Sequence, residues 1–233
     1  ASDDTDEGTY TFAIRAEVHC FTEVTGVYAS QTNAQDFTAA WSAVTGADGY
    51  ILDVATNADF SSAGGSASDL FISEYIEYGN EKYIEIYNGT GGSVDLSNYA
   101  LVLYANGATS HTASNTLSGT LADGDVVVYK NSSSTNTVGT DSSSVNYNGD
   151  DAVALWKSTS SSWVDIFGRI GEDPGAQWTD GSFSTADATL VRKSTVTGGV
   201  TSNPGSGFPT LGTEWDLYDA TDESHLDDHT FSG

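Results

Sequence analysis

A chain of 233 residues with 33 acidic against 7 basic side chains, a net charge of −26 and a pI near 4.1, cannot present the cationic footprint that a nucleic-acid backbone or an anionic membrane surface requires. Its 38% hydrophobic and 11% aromatic content is too high for a chain held unfolded by its own charge. No apolar run reaches the roughly 18–20 residues that cross a bilayer.

The single Cys20 has no second cysteine in the chain, and methionine is absent, so little is easily oxidised. Carboxylates in this excess repel one another unless salt or divalent cations screen them, which suggests saline surroundings, bound calcium, or both, while the scarcity of oxidisable residues fits an extracellular setting. Glycine is frequent and proline rare. Short runs of Val, Ile, Tyr, Phe and Thr alternate with Gly, Asn, Asp and Ser clusters every ten residues or so, the pattern of an all-β protein.

Residues 1–22 form an acidic leader and a first strand over 9–18, where Tyr10, Phe12, Ile14 and Ala16 alternate with mostly polar neighbours. Residues 23–62 follow with three short strands: 24–29, then Phe37 to Trp41, then Tyr50, Leu52 and Val54 behind a Gly-Ala-Asp-Gly turn. The stretch "DFTAAWSAVTGADGYILDVATNADFSS" resembles the first half of a fibronectin type III domain, with Trp41 in place of the buried core tryptophan and Tyr50 opening the next strand. The later strands of that family are missing, which leaves an apolar face and open edges. Either the first strand folds back onto this half-domain within the chain, or Tyr10, Phe12, Ile14 and Ala16 of one copy fill the groove of Phe37, Trp41, Tyr50 and Leu52 in the next. The second arrangement would propagate into a filament.

A Gly/Ser linker is expected at 63–68, and a second domain over 69–233. There "DLFISEYIEYGNEKYIEIYNGTGGSVDLSNYALVLYANG", "LSGTLADGDVVVYKN", "NYNGDDAVALWK", "WVDIFGRIGEDPGAQW", "TLVRKSTVTGG" and "TEWDLY" together resemble the lamin tail domain of secreted bacterial and archaeal proteins. The resemblance implies an immunoglobulin-like β-sandwich with no chemistry of its own, found beside secreted hydrolases and on surface proteins. The residues agree physically: Ile84 and Ile86 share one strand face and are core candidates, Tyr83, Glu85 and Tyr87 share the other, and Asp95 is placed to bond backbone amides in a turn above Val94, Leu96 and Tyr99.

Glu74, Glu77, Glu81 and Glu85 could supply an acid–base pair, but a solvated hairpin edge is the simpler reading. The loops holding Asp123 and Asp125, and Asn146, Asn148, Asp150 and Asp151, offer the oxygen ligands calcium prefers, against ordinary turn chemistry. The acidic end with Asp216, Asp219, Asp222, Glu223, Asp227 and Asp228 reads as solvated, and His225 and His229 lack further zinc ligands in pattern. Asn88 and Asn131 begin glycosylation sequons in expected turns. Trp156, Trp163 and Trp178 are candidates for an aromatic sugar platform, with core packing the alternative.

The expectation is a non-catalytic extracellular structural or adhesive protein, not an enzyme. Its partners would be further copies of itself, by strand exchange, or neighbouring domains of a surface protein. The alternative is an accessory module of a larger secreted nuclease or other hydrolase, binding a polysaccharide.

Overall fold

The computed structural model describes residues 67–232 with their side chains and, ahead of them, the backbone of four strands; the chain divides into two units, 1–63 and 64–233. In the first unit β1 (Thr11–Glu17) pairs antiparallel with β4 (Gly49–Ala55), and β2 (Tyr28–Gln31) with β3 (Phe37–Ala40). The β1–β4 register sets Phe12 opposite Val54, Ile14 opposite Leu52 and Ala16 opposite Tyr50. Tyr10, Trp41, Cys20 and residues 63–66 lie outside the described residues.

The second unit is a sandwich of a six-stranded and a four-stranded sheet. The first sheet begins with the hairpin of β5 (Phe71–Tyr78) and β6 (Glu81–Tyr87), joined by the two-residue turn Gly79-Asn80 in which Gly79 takes φ +59°. Short β7 (Val94–Asp95) pairs with β10 (Thr120–Leu121), and between them run β8 (Tyr99–Tyr104) and β9 (Ala113–Thr116). Then follow β11 (Val126–Lys130), β12 (Thr140–Asp141), β13 (Ala152–Lys157) and β14 (Ser162–Phe167). The ribbon β15 (Thr179–Asp180) and β16 (Phe183–Ser184), then β17 (Ala188–Arg192), a helical turn α1 (Leu211–Glu214) and β18 (Trp215–Tyr218) complete it. The larger sheet runs β12-β11-β6-β5-β17-β18 and the smaller β14-β13-β8-β9. Ala67 and Ser68, expected in a linker, bond to the carbonyls of Gly89 and Thr197 and so belong to this unit.

Ile84 and Ile86 are fully buried, facing a core built with Ile72, Leu101, Leu103, Val153, Leu155 and Trp215. Asp95 accepts from the Ser97 amide above buried Leu96 and Tyr99, as the sequence indicates. The opposite face of β5 and β6 departs from expectation. Phe71, Ile76, Tyr83 and Tyr87 are buried as well, because the C-terminal segment lies across them: Leu226 packs on Ile76, Tyr83 and Val128, and Phe231 on Phe71 and Tyr87. The acidic end is thus a docked segment with some solvated carboxylates, not a wholly solvated tail.

Tyr147 pins the hairpin from the core side. Its hydroxyl lies 2.9 Å from the Ile76 carbonyl and 2.6 Å from that of Tyr83, and its ring stacks on Tyr75 at 4.7 Å. Replacing it with Phe leaves the ring and removes the donor, so the denaturant midpoint is expected to drop by the equivalent of about 1–3 kcal/mol with an unchanged denaturant slope.

Candidate functional site

The loop over 146–151 is held by turn and packing contacts. The Asp151 carboxylate accepts from the amides of Asn106 at 2.7 Å and Asn148 at 3.0 Å, and the Gly149 carbonyl accepts from the Trp178 amide at 3.2 Å. A Cβ on Gly149 would stand 2.5 Å from that of Ala186, so only glycine fits this close approach. Asp150 differs: it is buried, its Oδ1 has no partner, and burial followed by the Asp151 charge raises its pKa. Asp123 accepts from the Gly91 amide and is exposed, like Asp125, in the turn before β11. No shared partner joins these two aspartates to the 146–151 loop.

The sequons are spent inside the fold. Asn88 is fully buried, and its Nδ2 donates to the carbonyls of Gly92, Leu121 and Ala122, while its Oδ1 accepts from Thr90. An amide so engaged is closed to a transferase, which overturns the expected accessible turn at Asn88. Asn131 is half-buried and donates to the Val145 carbonyl and to Asn146 Oδ1.

The three tryptophans separate. Trp178 is core, its Nε1 donating to the Asp151 carbonyl. Trp156 and Trp163 meet edge to face at 4.5 Å on the outer face of the four-stranded sheet, half-buried, with Tyr104 5.8 Å from Trp163. Trp163 also borders a shallow groove with the Asp69–Lys157 ion pair, Ser160, Ser162 and Thr201.

Of two buried ionic arrangements, the first escaped the sequence reading and the second was read there as a solvated edge. Asp165 on β14 is fully buried and ties the sheets together: one oxygen accepts from the Ile72 amide of β5 at 2.9 Å and from Arg192 of β17 at 3.1 Å, the other from the Val200 amide at 2.8 Å. Arg192 also reaches Glu214 at 2.7 Å and lies over the Trp215 ring at 4.7 Å. The second arrangement is the cross-strand pair Glu74 and Glu85, each 1% exposed, which corrects the expected solvated edge. Glu77 is buried too, paired with Lys82 and accepting from the Asp187 amide.

Glu85 accepts from the Ser73 hydroxyl at 2.7 Å and the Asp227 amide at 2.8 Å. Neither oxygen of Glu74 has a partner. Burial, then the charges of Glu85, Asp222 and Glu223, push Glu74 up to about 9; burial raises Glu85 to about 7 in spite of its two hydrogen bonds. Carboxyls with separated pKa values suit acid–base chemistry, but these lie beneath the docked C-terminal segment, out of a substrate's reach.

Residues 63–171 match the family model of the Lamin Tail Domain. No curated protein and no solved structure matches the chain. The match stops before β17 and β18, which nonetheless complete the six-stranded sheet.

Proposed function

We propose that this chain, carrying a lamin-tail-like immunoglobulin-type sandwich, is a non-catalytic extracellular module with a structural or adhesive role. The family match over 63–171 is the observation that carries this reading. It is supported by the buried ionic groups of the second unit, which are committed to joining strands and sheets or are closed under the terminal segment. Assembly through exchange of β1 between copies belongs to the same proposal: the β1–β4 ladder could be remade between chains in the same register, with Phe12, Ile14 and Ala16 donated and Tyr50 and Leu52 receiving. A calcium ion in the 146–151 loop would take Asp150 Oδ1 as its free ligand.

Negative-stain electron microscopy and light scattering of the full chain beside a variant lacking residues 1–18 test the assembly. Concentration-dependent filaments, lost in the truncation, are the expected result; monodisperse monomers at every concentration overturn it. The half-buried Trp156–Trp163 pair and its neighbouring groove favour a second reading, a polysaccharide-binding accessory module of a larger secreted hydrolase. Under that reading Trp163→Ala abolishes retention on a polysaccharide affinity gel while leaving the unfolding midpoint within a few degrees of the parent.

A further inference from the structure

The outer face of β5 and β6 carries a polar gap between two apolar clusters. On one side Leu226 covers Ile76, Tyr83 and Val128; on the other Phe231 covers Phe71 and Tyr87. Glu74 and Glu85 stand opposite each other in the gap, where like charges destabilise a sheet. The segment above them brings more negative charge, Asp222 and Glu223 toward Glu74, and Asp227 and Asp228 toward Glu85. The nearby cations are engaged elsewhere: Lys82 with Glu77, Arg192 with Asp165 and Glu214, and Lys130 with the Asn136 carbonyl.

Two unpartnered oxygens on a carboxylate that is 99% buried are expensive, since burial removes the water that would satisfy them. Protonation answers only half of this. A neutral Glu74 carries a hydroxyl that needs an acceptor where burial excludes water, and its protonation does nothing for the charges of Asp222, Glu223, Asp227 and Asp228 above the pair. A bound cation satisfies both oxygens at once and offsets the repulsion from Glu85 and the segment above.

We propose that Glu74 and Glu85 form a divalent-cation site, suited to calcium, that fastens the C-terminal segment over residues 219–232 to the outer face of the six-stranded sheet. The donors are all oxygens, which selects a hard ion, and the irregular surroundings suit calcium better than the strict octahedron of magnesium. Each Glu85 oxygen keeps a lone pair beyond the hydrogen bond it accepts. Among the described residues no three acidic, histidine or cysteine side chains form a ready chelate, so water completes the shell. Such a site belongs to the weak class of extracellular modules, with a Kd of about 10⁻⁴ to 10⁻³ M. It does not depend on whether the chain polymerises or binds sugar.

The test is thermal unfolding of the full chain in chelator, in ~10 mM calcium chloride and in sodium chloride of equal ionic strength, with limited proteolysis read in parallel. Calcium is expected to raise the midpoint by several degrees beyond sodium and to slow cleavage within 219–232. Glu74→Gln removes the calcium-dependent protection of 219–232 and reduces the midpoint shift, whereas Asp150→Asn keeps the protection of 219–232, which separates this site from the 146–151 loop. Should Glu74→Gln fail to fold, Asp222→Asn on the covering segment is expected to weaken calcium several-fold. A sodium effect as large as calcium's, an undiminished response in Glu74→Gln, or unchanged affinity in Asp222→Asn each overturns the proposal.

Discussion

Asp165→Ala is expected to lower the stability of the sandwich by about 3–5 kcal/mol, the cost of breaking a buried ion pair by removing one partner. The variant strands three donors at once: the Arg192 guanidinium and the amides of Ile72 and Val200. Arg192 is itself 2% exposed, so water cannot replace what is lost. Glu214 remains as a counter-charge, which keeps the penalty toward the lower half of that range. For a unit of this size the unfolding midpoint falls by roughly 6 to 20 °C. The partly exposed pair Arg169–Glu172 provides the contrast: Glu172 also accepts from the Gly207 amide, but water can reach both donors, so Glu172→Ala is expected to cost only about 1 kcal/mol. Equal effects from the two variants in a calorimetric scan would mean that Asp165 does not join the sheets as described.

The second large effect is a decline in stability as pH rises, measured in chelator. Glu74 has its carboxyl near 4.5 when unfolded and about 9 when folded. Between those values the folded chain keeps a proton that the unfolded chain has released, so the stability it confers is complete below about 4.5 and is lost as pH climbs through about 9. Glu85, facing Ser73, Asp227 and Asp228, acts in the same direction up to about 7. His229, packed against Phe71 and Tyr87 near Arg192, opposes them. Burial depresses it to about 4, so its contribution, present above 6.5, is lost as pH falls toward 4. Two acids outweigh one histidine, and the maximum is expected on the acid side, near about pH 5. Glu74→Gln should match the parent there and exceed it at about pH 8, by on the order of several kcal/mol. The general repulsion of a chain at −26 acts on both proteins alike, so parallel curves would show that Glu74 is not the buried acid responsible.

Alternation and turn chemistry are local, and they were enough to read much of the fold. Ile84 and Ile86 belong to the core because one strand face must be apolar, and the Asp95 turn follows from a short side chain next to its own backbone. The strands at Phe37–Ala40 and Gly49–Ala55 fall where alternation places them, and the lamin-tail resemblance, read over 69–233, is matched by the family model as far as residue 171. What covers the other face of a strand is not local. Nothing within residues 71–87 announces that a segment some 140 positions later lies across them, so Glu74 and Glu85 read as a wet edge when they are buried. The same holds for Asn88, a sequon by its neighbours but a buried bridge between distant carbonyls. Asp165 and Arg192 drew no reading from the sequence, because only the stacking of two sheets makes them a buried pair. The sequence by itself determined which residues alternate and where the chain turns, because those follow from backbone geometry and side-chain size. Tertiary structure decided which charges lose their water, because desolvation depends on what arrives from elsewhere in the chain.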